Sequence, residues 1–237
     1  MSQPESHTAY ILHRRPYRET SLLVELFSED AGRVGVVARG ARKPRKGATP
    51  LEPFRLLQVG WAGRGELRSL RGAEALGAPA DLRGEALYLG FYLNELLLRL
   101  CARFDPYPRV FGAYRETLAA LAGGGRDRPL RAFEAGLLRE LGLAPDWGRC
   151  AGCGEPVAPA SNYAWQPEFG LLCAGCTNGP TPYSGRAVAA LQSAAAEVGD
   201  TERRQARDLM RQALAPHLGS RPLESRELLR SLRRGEG

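Results

Sequence analysis

The sequence predicts an α+β protein: a small closed barrel of five β-strands, followed by an α-helical domain into which a four-cysteine zinc ribbon is inserted. Three observations support this order. Short apolar segments separated by turn residues fill the first 80 residues, apolar residues recur at helical spacing after Pro79, and four of the five cysteines form two matched pairs. We therefore place the first domain at residues 1–80 and the second at 81–237, with the ribbon at about 147–180.

The barrel prediction rests on five segments rich in strand-forming residues. Residues 21–27 and 33–39 are separated by a short turn that ends at Gly32, which indicates a β-hairpin. The other three segments begin at Tyr10, Phe54 and Glu66. Five short strands in this length of chain suit a closed barrel, because closure leaves no exposed sheet edge.

The helical domain is predicted from apolar residues that recur three and four positions apart. Such patterns run through residues 89–100, 110–121 and 133–141. Pro129 is predicted to open the third of these helices and Gly142 to end it, because proline suits a first helical turn and glycine a helix end.

Helical periodicity resumes after the ribbon. Ser184 is a predicted N-cap of a helix that extends to Val198, and Thr201 is a predicted N-cap of the next helix. A last helix follows Ser225. Within the ribbon, three aromatic residues are expected to pack it against these helices: Tyr163, Trp165 and Phe169.

Two pairs of cysteines carry the most specific chemical signal in the chain. The motif Cys-Ala-Gly-Cys occurs twice, with 19 residues between the two copies. This spacing is typical of a tetrahedral zinc site, since each short knuckle directs two thiolates at one ion and its glycine permits a tight turn. We predict one structural Zn²⁺ ion, held by Cys150, Cys153, Cys173 and Cys176.

Two disulfides or four unligated thiols are the alternatives for these cysteines. No apolar signal-peptide core precedes His13, so we expect a cytoplasmic location, where reducing conditions favour thiolates. No apolar run is long enough to span a bilayer, and no membrane partner is expected. Catalytic zinc is disfavoured because four thiolates leave no open coordination position. The fifth cysteine, Cys101, is predicted to be a buried core thiol.

The formal net charge of +7 is unevenly distributed. The first 80 residues contain 13 Arg and Lys against 8 Asp and Glu, whereas the rest of the chain contains 20 against 18. Five cations fall within residues 39–46, where Pro44 and the flanking glycines exclude a regular helix. Because like charges at this density repel one another unless a polyanion neutralises them, the segment predicts phosphate contacts. The predicted contact residues are Arg39, Arg42, Lys43, Arg45 and Lys46.

A second group of nucleic-acid-binding candidates lies nearer the N-terminus: Arg14, Arg15, Tyr17 and Arg18. The arginines would extend the positive surface, and the tyrosine ring could stack on a base. The alternative for the segment at 39–46 is a solvated charged turn. The alternative for the three arginines is that some of them pair with Glu19 or Glu25.

Catalytic chemistry finds little support in the sequence, and we expect a protein that is not an enzyme. The three histidines are scattered outside any nucleophile or metalloprotease motif, and Glu134 and Glu140 are six residues apart and do not share a helix face. Residues 123–125 are glycines but lack the Lys-Ser/Thr of a phosphate-binding loop. An RNA-binding zinc-ribbon protein and a nucleic-acid enzyme with an unrecognised site remain alternatives.

Short motifs in a characteristic order lie along nearly the full chain. In the first domain they include Tyr17-x-Glu19-x-Ser21, Ala38-Arg39-Gly40-Ala41-Arg42 and Leu51-Glu52-Pro53-Phe54. In the second they include Tyr92-Leu93-x-Glu95-Leu96, Phe133-Glu134-x-x-Leu137-Leu138 and Arg221-Pro222-Leu223-x-Ser225-Arg226. Taken together, these motifs resemble the RecO family of recombination mediators.

The resemblance implies an N-terminal OB-fold followed by a helical domain that carries a zinc ribbon. It also implies binding to single- and double-stranded DNA and annealing of complementary strands. The implied protein partners are RecR, the C-terminal tail of single-stranded-DNA-binding protein (SSB) and, indirectly, RecA, which is loaded onto SSB-coated strands. A nucleoid-associated location within the cytoplasm follows from these roles.

Overall fold

The computed structural model describes residues 6–193 and 198–235, the last three without their side chains. The chain forms two compact units. The barrel unit comprises Met1–Gly124 and Pro222–Gly237, and the ribbon unit comprises Gly125–Arg221. These units are defined by contacts, and the sequence-based boundary at residue 80 stays a prediction. Within the described residues, no helix has both the length and the apolar character needed to cross a membrane.

Five strands form the closed barrel that the sequence predicts: β1 Ser6–Tyr17, β2 Ser21–Ser28, β3 Gly32–Ala38, β4 Leu56–Ala62 and β5 Leu67–Ala75. Their order around the barrel is β1-β2-β3-β5-β4, and β4 returns to β1. Neighbouring strands are antiparallel except β3 and β5, which pair in parallel through Gly35 with Leu67 and Val37 with Ser69. This five-stranded closed barrel is an OB-fold, which confirms the predicted fold class.

Strand periodicity separates the inside of the barrel from its outer face. Val24, Val34 and Val36 are fully buried in the core of the barrel. Val37 lies next to Val36 along β3 and therefore points outward, as side chains alternate between the two faces of a strand. Burying each valine or leucine contributes roughly 1.5–3 kcal/mol, so this alternation fixes the register of the strands.

Within residues 6–193 and 198–235, six α-helices and a small sheet accompany the barrel. The helices are α1 Glu85–Leu100, α2 Pro108–Ala122, α3 Asp127–Glu140, α4 Gly185–Gln192, α5 Asp200–Leu214 and α6 Glu224–Gly235. The sheet contains β6 Asn162–Gln166, β7 Gly170–Cys173 and β8 Tyr183–Ser184, in the order β7-β6-β8. The predicted helical regions are therefore confirmed, with shifts at several ends.

A buried hydrogen-bond chain joins the first two helices to the barrel. The Tyr114 hydroxyl donates to Asn94 Oδ1 at 2.6 Å, and Asn94 Nδ2 donates to the Leu12 carbonyl oxygen at 2.8 Å. All three residues are buried. The rings of Tyr10 and Phe27 pack against Tyr114 on the same side. Helices α1 and α2 therefore cover part of the barrel and belong to its compact unit.

The last helix also belongs to the barrel unit, because α6 packs on α1. The Glu95 carboxylate accepts hydrogen bonds from the backbone N–H groups of Glu224 and Ser225 and, at 2.6 Å, from the Ser225 hydroxyl. Burial raises the pKa of Glu95, but these donors and Arg99 outweigh it and lower the pKa overall. The carboxylate thus fixes the start of α6.

Two helix starts in the ribbon unit differ in how well the sequence predicted them. Ser184 caps α4, since its hydroxyl oxygen accepts from the Ala187 N–H at 3.2 Å, which confirms the prediction. The predicted N-cap at Thr201 was wrong: Gly199 precedes α5, and its carbonyl oxygen accepts from the Arg203 N–H. Helix α4 ends at Gln192, well before Val198, and residues 194–197 lie outside the described residues.

For helix α3, the sequence predicted the end correctly but not the start. It begins at Asp127, two residues before the predicted opening at Pro129, which lies within the first turn. Gly142 adopts a φ of +68° just beyond the last helical residue, in the left-handed region that glycine tolerates best. The predicted helix end is therefore confirmed and the predicted start is two residues late.

Candidate metal centre and nucleic-acid interface

The two cysteine knuckles meet in the ribbon unit. The first forms a tight turn in which the Gly154 N–H donates to the Cys150 carbonyl oxygen, and the second begins at Cys173, the last residue of β7. A hydrogen bond of 2.7 Å from the Ala151 N–H to the Leu171 carbonyl oxygen joins the first turn to β7, the strand that leads into the second turn. The four cysteine sulfurs all lie within 4.8 Å of one another.

This cluster fits a tetrahedrally bound metal ion. Zn–S bonds of about 2.3 Å place tetrahedral sulfurs roughly 3.8 Å apart, and the Sγ atoms of Cys153 and Cys173 are 3.8 Å apart. The Cys173 N–H donates to Cys150 Sγ at 3.2 Å. Burial raises the pKa of the Cys150 thiol, but the Cys173 N–H and neighbouring N–H groups lower it overall to about 6, whereas hydrogen bonds with the other cysteines, Cys173 first, raise the pKa of Cys176 to about 12. The cluster geometry and the four sulfur donors, rather than these pKa values, favour a soft divalent ion.

The two Cys-Ala-Gly-Cys motifs are alike in sequence but not in their surroundings. A Cβ atom at Gly152 would lie 2.8 Å from Cys176 Cβ and 2.9 Å from its sulfur. A Cβ at Gly175 would meet only Cys173 Sγ, at 3.9 Å. Gly152 thus permits the close approach of the two knuckles, whereas Gly175 has space for a methyl group.

All five cysteines are free thiols, so the alternative of two disulfides is not observed. Cys101 is buried at the end of α1, as predicted for a core thiol. Burial raises its pKa to about 12, which makes it unreactive.

Aromatic packing stabilises the ribbon around the cysteines, with one exception. The rings of Trp147 and Trp165 lie 5.3 Å apart, and Gln192 in α4 donates to the Trp147 carbonyl oxygen at 2.5 Å. Tyr163 is buried as predicted. Phe169 is 67% exposed in the turn between β6 and β7, so the prediction that it packs against the helices was wrong. A tight hairpin turn leaves its side chain without a neighbouring surface.

The predicted phosphate-binding segment, residues 39–46, forms a turn-rich loop directly after β3, here called the basic loop. Hydrogen bonds from Lys43 N–H to the Gly40 carbonyl oxygen and from Ala48 N–H to that of Arg45 close two consecutive turns. All five of its cationic side chains are exposed: Arg39, Arg42, Lys43, Arg45 and Lys46.

Arg42 ties the basic loop to the turn between β1 and β2. Its backbone N–H donates to the Thr20 carbonyl oxygen, and its guanidinium donates at 3.0 Å to the carbonyl oxygens of both Arg18 and Glu19. The two predicted groups of cations are thereby brought together. The basic loop and the segment around Tyr17, two separate groups of candidates in the sequence, therefore belong to one continuous region of the barrel unit.

A surface cavity of about 540 Å³ lies where these groups meet, and Tyr17, Arg18 and Arg39 line it. The Arg18 guanidinium carbon is 5.3 Å from the centre of the Tyr17 ring, within cation–π distance. Arg15 lines a neighbouring cavity. Arg14 is exposed but adjoins Arg15 on β1, so the two side chains point to opposite faces of the strand.

No acidic partner of the predicted cations is found in the part of the chain that the structure describes. Across residues 6–193 and 198–232, none of these eight side chains forms an ion pair: Arg14, Arg15, Arg18, Arg39, Arg42, Lys43, Arg45 and Lys46. Glu25, the proposed alternative partner, instead pairs with Arg103 and lies 3.9 Å from Arg33. Arg103 comes from beyond α1, far away in sequence, so the strand pattern held no sign of this pairing.

A closed OB-fold barrel, an uncompensated cationic surface and a four-cysteine ribbon define a class of small-barrel protein whose architecture suits oligonucleotides. The family models described as "Recombination protein O N terminal" and "Recombination protein O C terminal" match residues 1–79 and 82–227. The chain therefore belongs to the RecO family, whose members are named for DNA repair and recombination.

Several curated relatives bear the name "DNA repair protein RecO". The Methylococcus capsulatus protein is 45% identical over 225 residues, covering 94% of this chain and 92% of the relative. The Alkalilimnicola ehrlichii protein is 46% identical over 95% of this chain and 91% of its own length, and the Halorhodospira halophila protein is 42% identical over 98% and 100%. The similarity thus extends through both compact units.

Proposed function

We propose that this chain is a non-enzymatic DNA-binding mediator of recombinational repair that grips phosphates with its barrel unit. The observation that carries the proposal is the set of eight exposed cations around the basic loop and the β1–β2 turn, none with a carboxylate partner among the described residues. Uncompensated positive charge at this density favours the binding of a polyanion. Membership of the RecO family supports DNA as that polyanion.

The proposed contacts are independent of sequence. Arginine and lysine side chains on the basic loop would bind phosphates of single- and double-stranded DNA alike, since phosphates carry no base identity. By neutralising two strands at once, the same surface would reduce the repulsion between complementary single strands and promote their annealing. Tyr17, with Arg18 beside its ring, offers a stacking surface next to these phosphate contacts.

The proposed setting is the cytoplasm, in association with the nucleoid. There the protein would act with RecR and the C-terminal tail of SSB to help load RecA onto SSB-coated single strands. The resemblance to RecO mediators supports these partners, and the near-complete coverage of the curated relatives supports transferring the resemblance to the whole chain.

We further propose that one zinc ion binds the four cysteines as a structural element. Cys150, Cys153, Cys173 and Cys176 would supply four thiolates, which leave no position for water or substrate. The ion would cross-link the two turns of the ribbon and contribute to folding, because such a site does not exist in the unfolded chain.

Replacing the five cations of the basic loop by alanine tests the DNA proposal. We expect weaker binding to both single- and double-stranded DNA and a flatter dependence of log affinity on log salt. The slope for a single strand should fall in magnitude by about 0.7 for each phosphate that the variant no longer neutralises. Fluorescence anisotropy of a labelled oligonucleotide across a salt series measures both quantities.

A charge-matched variant provides the control. It removes five exposed helix arginines of the ribbon unit: Arg128, Arg139, Arg186, Arg204 and Arg211. This variant loses the same net charge, so it should retain most of the affinity and salt slope if the basic loop is the contact. Equal losses of affinity in the two variants would show that only the net charge matters. They would contradict the assignment of the basic loop as the DNA contact.

Three further assays separate this function from its rivals. Annealing of complementary strands without nucleotide should be accelerated by the parent protein and much less by the loop variant. Incubation of labelled DNA with Mg²⁺ should leave the strands intact, whereas cleavage would indicate a nuclease. Preference for RNA over single-stranded DNA of equal length, at fixed salt, would indicate an RNA-binding protein instead.

A further inference from the structure

Arg42 differs from the other four cations of the basic loop in what its side chain contacts. Its guanidinium nitrogen Nη1 donates hydrogen bonds of 3.0 Å to the carbonyl oxygens of Arg18 and Glu19, and its backbone N–H donates at 3.0 Å to the Thr20 carbonyl oxygen. Arg42 therefore binds three consecutive carbonyl groups of one turn. Within the described residues the other four side chains make no hydrogen bond or ion pair: Arg39, Lys43, Arg45 and Lys46.

Strand pairing supports the β1–β2 turn from one side of β1. The ladder between β1 and β4 runs from Ser6 to Tyr10, whereas the ladder between β1 and β2 continues to Tyr17, which pairs with Ser21. The end of β1 that leads into the turn thus extends past β4 and is held by β2. A strand end with one neighbour is more easily displaced than one paired on both sides, so a contact from the basic loop restricts it.

Within the turn, Arg18 adopts a left-handed backbone conformation. Its φ is +53°, a region that is sterically unfavourable for residues with a side chain. Such a conformation persists where surrounding contacts hold it in place. The two hydrogen bonds from the Arg42 guanidinium to the carbonyl oxygens of Arg18 and Glu19 are contacts of this kind.

The conformation of the turn decides where Tyr17 and Arg18 lie. Tyr17 is half-buried at the end of β1, and the Arg18 guanidinium carbon lies 5.3 Å from the centre of its ring. Both residues line the cavity of about 540 Å³, together with Arg39 at the start of the basic loop. Arg42 is not one of the residues that line this cavity, yet it joins the turn and the loop that form it.

We infer that Arg42 is a positioning residue: it holds the β1–β2 turn so that Tyr17 and Arg18 meet DNA beside the basic loop. The inference rests on the proposed DNA-binding function and divides the loop into four cations that hold phosphates and one that acts through its neighbours. A planar guanidinium donates in a fixed geometry, and lysine cannot replace it, because its ammonium ends about one bond length short of Nη1. The identity of the side chain at position 42 therefore matters more than its charge.

The substitution Arg42→Lys tests the inference because it keeps both the charge and the backbone N–H. Affinity for a poly-dT strand should fall by roughly fivefold, the loss expected for about one net hydrogen bond. Arg45→Lys is the matched control, since it makes the same exchange in the same loop, and it should retain affinity within about twofold. If Arg42→Lys binds as tightly as the parent, Arg42 acts through its charge alone and the inference is overturned.

A double-mutant cycle shows whether Arg42 acts through the turn. The background variant Tyr17→Ala with Arg18→Ala removes both side chains that the turn presents. In this background Arg42→Lys should lower affinity by less than about twofold, because no turn side chain remains to be positioned. General damage to the fold would lower affinity equally in the parent and in the background variant. Equal losses would therefore contradict the inference.

Hydrogen exchange of the free protein separates this inference from the function on which it rests. Without DNA, the backbone N–H groups of residues 17–21 should exchange several-fold faster in Arg42→Lys than in the parent, and Arg45→Lys should leave their rates unchanged. Mass spectrometry of peptide fragments measures these rates. Unchanged exchange in Arg42→Lys would overturn the positioning role while the DNA-binding proposal stands. If the parent binds no DNA, the DNA-binding proposal fails, and the inferred role fails with it.

Discussion

The basic loop and the cysteine ribbon each contain several side chains of one kind, but the loop exposes its side chains and the ribbon brings its side chains together. In the ribbon, four sulfurs converge within 4.8 Å and donors such as the Cys173 N–H already point at them. On the barrel, five loop cations spread outward, and the structure offers them no acidic partner within its described residues. In our proposal an ion would complete the fold of the ribbon, whereas the basic loop would bind a partner outside the chain. Stability should therefore depend on the first and binding on the second.

The largest effect is expected from the double substitution Cys150→Ser and Cys153→Ser. Removing two of four thiolates should reduce the zinc content from about one ion per chain to near zero. Because metal binding at such sites is coupled to folding, the Tm should fall strongly. Zinc release measured with a chromogenic chelator and thermal unfolding followed by circular dichroism report the two quantities.

Cys101→Ala is the matched control for the cysteine pair. It removes a thiol of the barrel unit that lies outside the cluster, so the zinc content should stay at about one ion per chain. The proposed division of roles would be broken if the double serine variant kept full stability in a metal-free preparation. It would also be broken if that variant lost DNA affinity while remaining folded.

A smaller effect sharpens the comparison within the ribbon itself. Gly152→Ala should weaken zinc binding by roughly tenfold, since its methyl group would press on the Cβ and sulfur of Cys176 and displace a ligand. Gly175→Ala should leave zinc affinity nearly unchanged because only Cys173 Sγ lies near, at 3.9 Å. Competition with a fluorescent zinc indicator distinguishes the two. Identical affinities would show that the knuckles are equivalent after all.

An effect of similar size concerns the stability of the barrel unit. Tyr114→Phe should lower the free energy of unfolding by about 1–3 kcal/mol, because it leaves the buried Asn94 Oδ1 without its donor. Tyr107→Phe removes a hydroxyl whose bond to Asp105 is exposed, and should cost less than about 0.5 kcal/mol. Urea denaturation measures both. Zinc content should stay unchanged in each, and a coupled loss of zinc would contradict the separation of the two regions.

The parts of the fold that local patterns encode were predictable. Short strand-forming segments between turns indicated the five strands, and the Cys-Ala-Gly-Cys spacing identified the four cysteines that the structure brings together. Ser184 was recognisable as an N-cap because capping is a property of adjacent residues. Thr201 misled for the same reason: it has a capping side chain, but a glycine two residues earlier is the N-cap of the helix.

The parts that depend on distant residues were not predictable from those patterns. The pairing of Arg103 with Glu25 spans 78 residues, and no periodicity encodes it. The Arg68 guanidinium lies over the Phe104 ring, a contact between β5 and a segment beyond α1 that no local pattern encodes. The asymmetry between Gly152 and Gly175 likewise arises only when the two turns pack together.

The return of α6 to α1 sets the order in which the two units can be completed during synthesis. The Glu95 carboxylate receives its donors from Ser225, 130 positions later in the chain. A ribosome therefore delivers every residue of Gly125–Arg221 before the barrel unit obtains its last helix. The ribbon unit can fold as soon as it emerges. The barrel unit is begun first, but it is completed only when α6 has been synthesised.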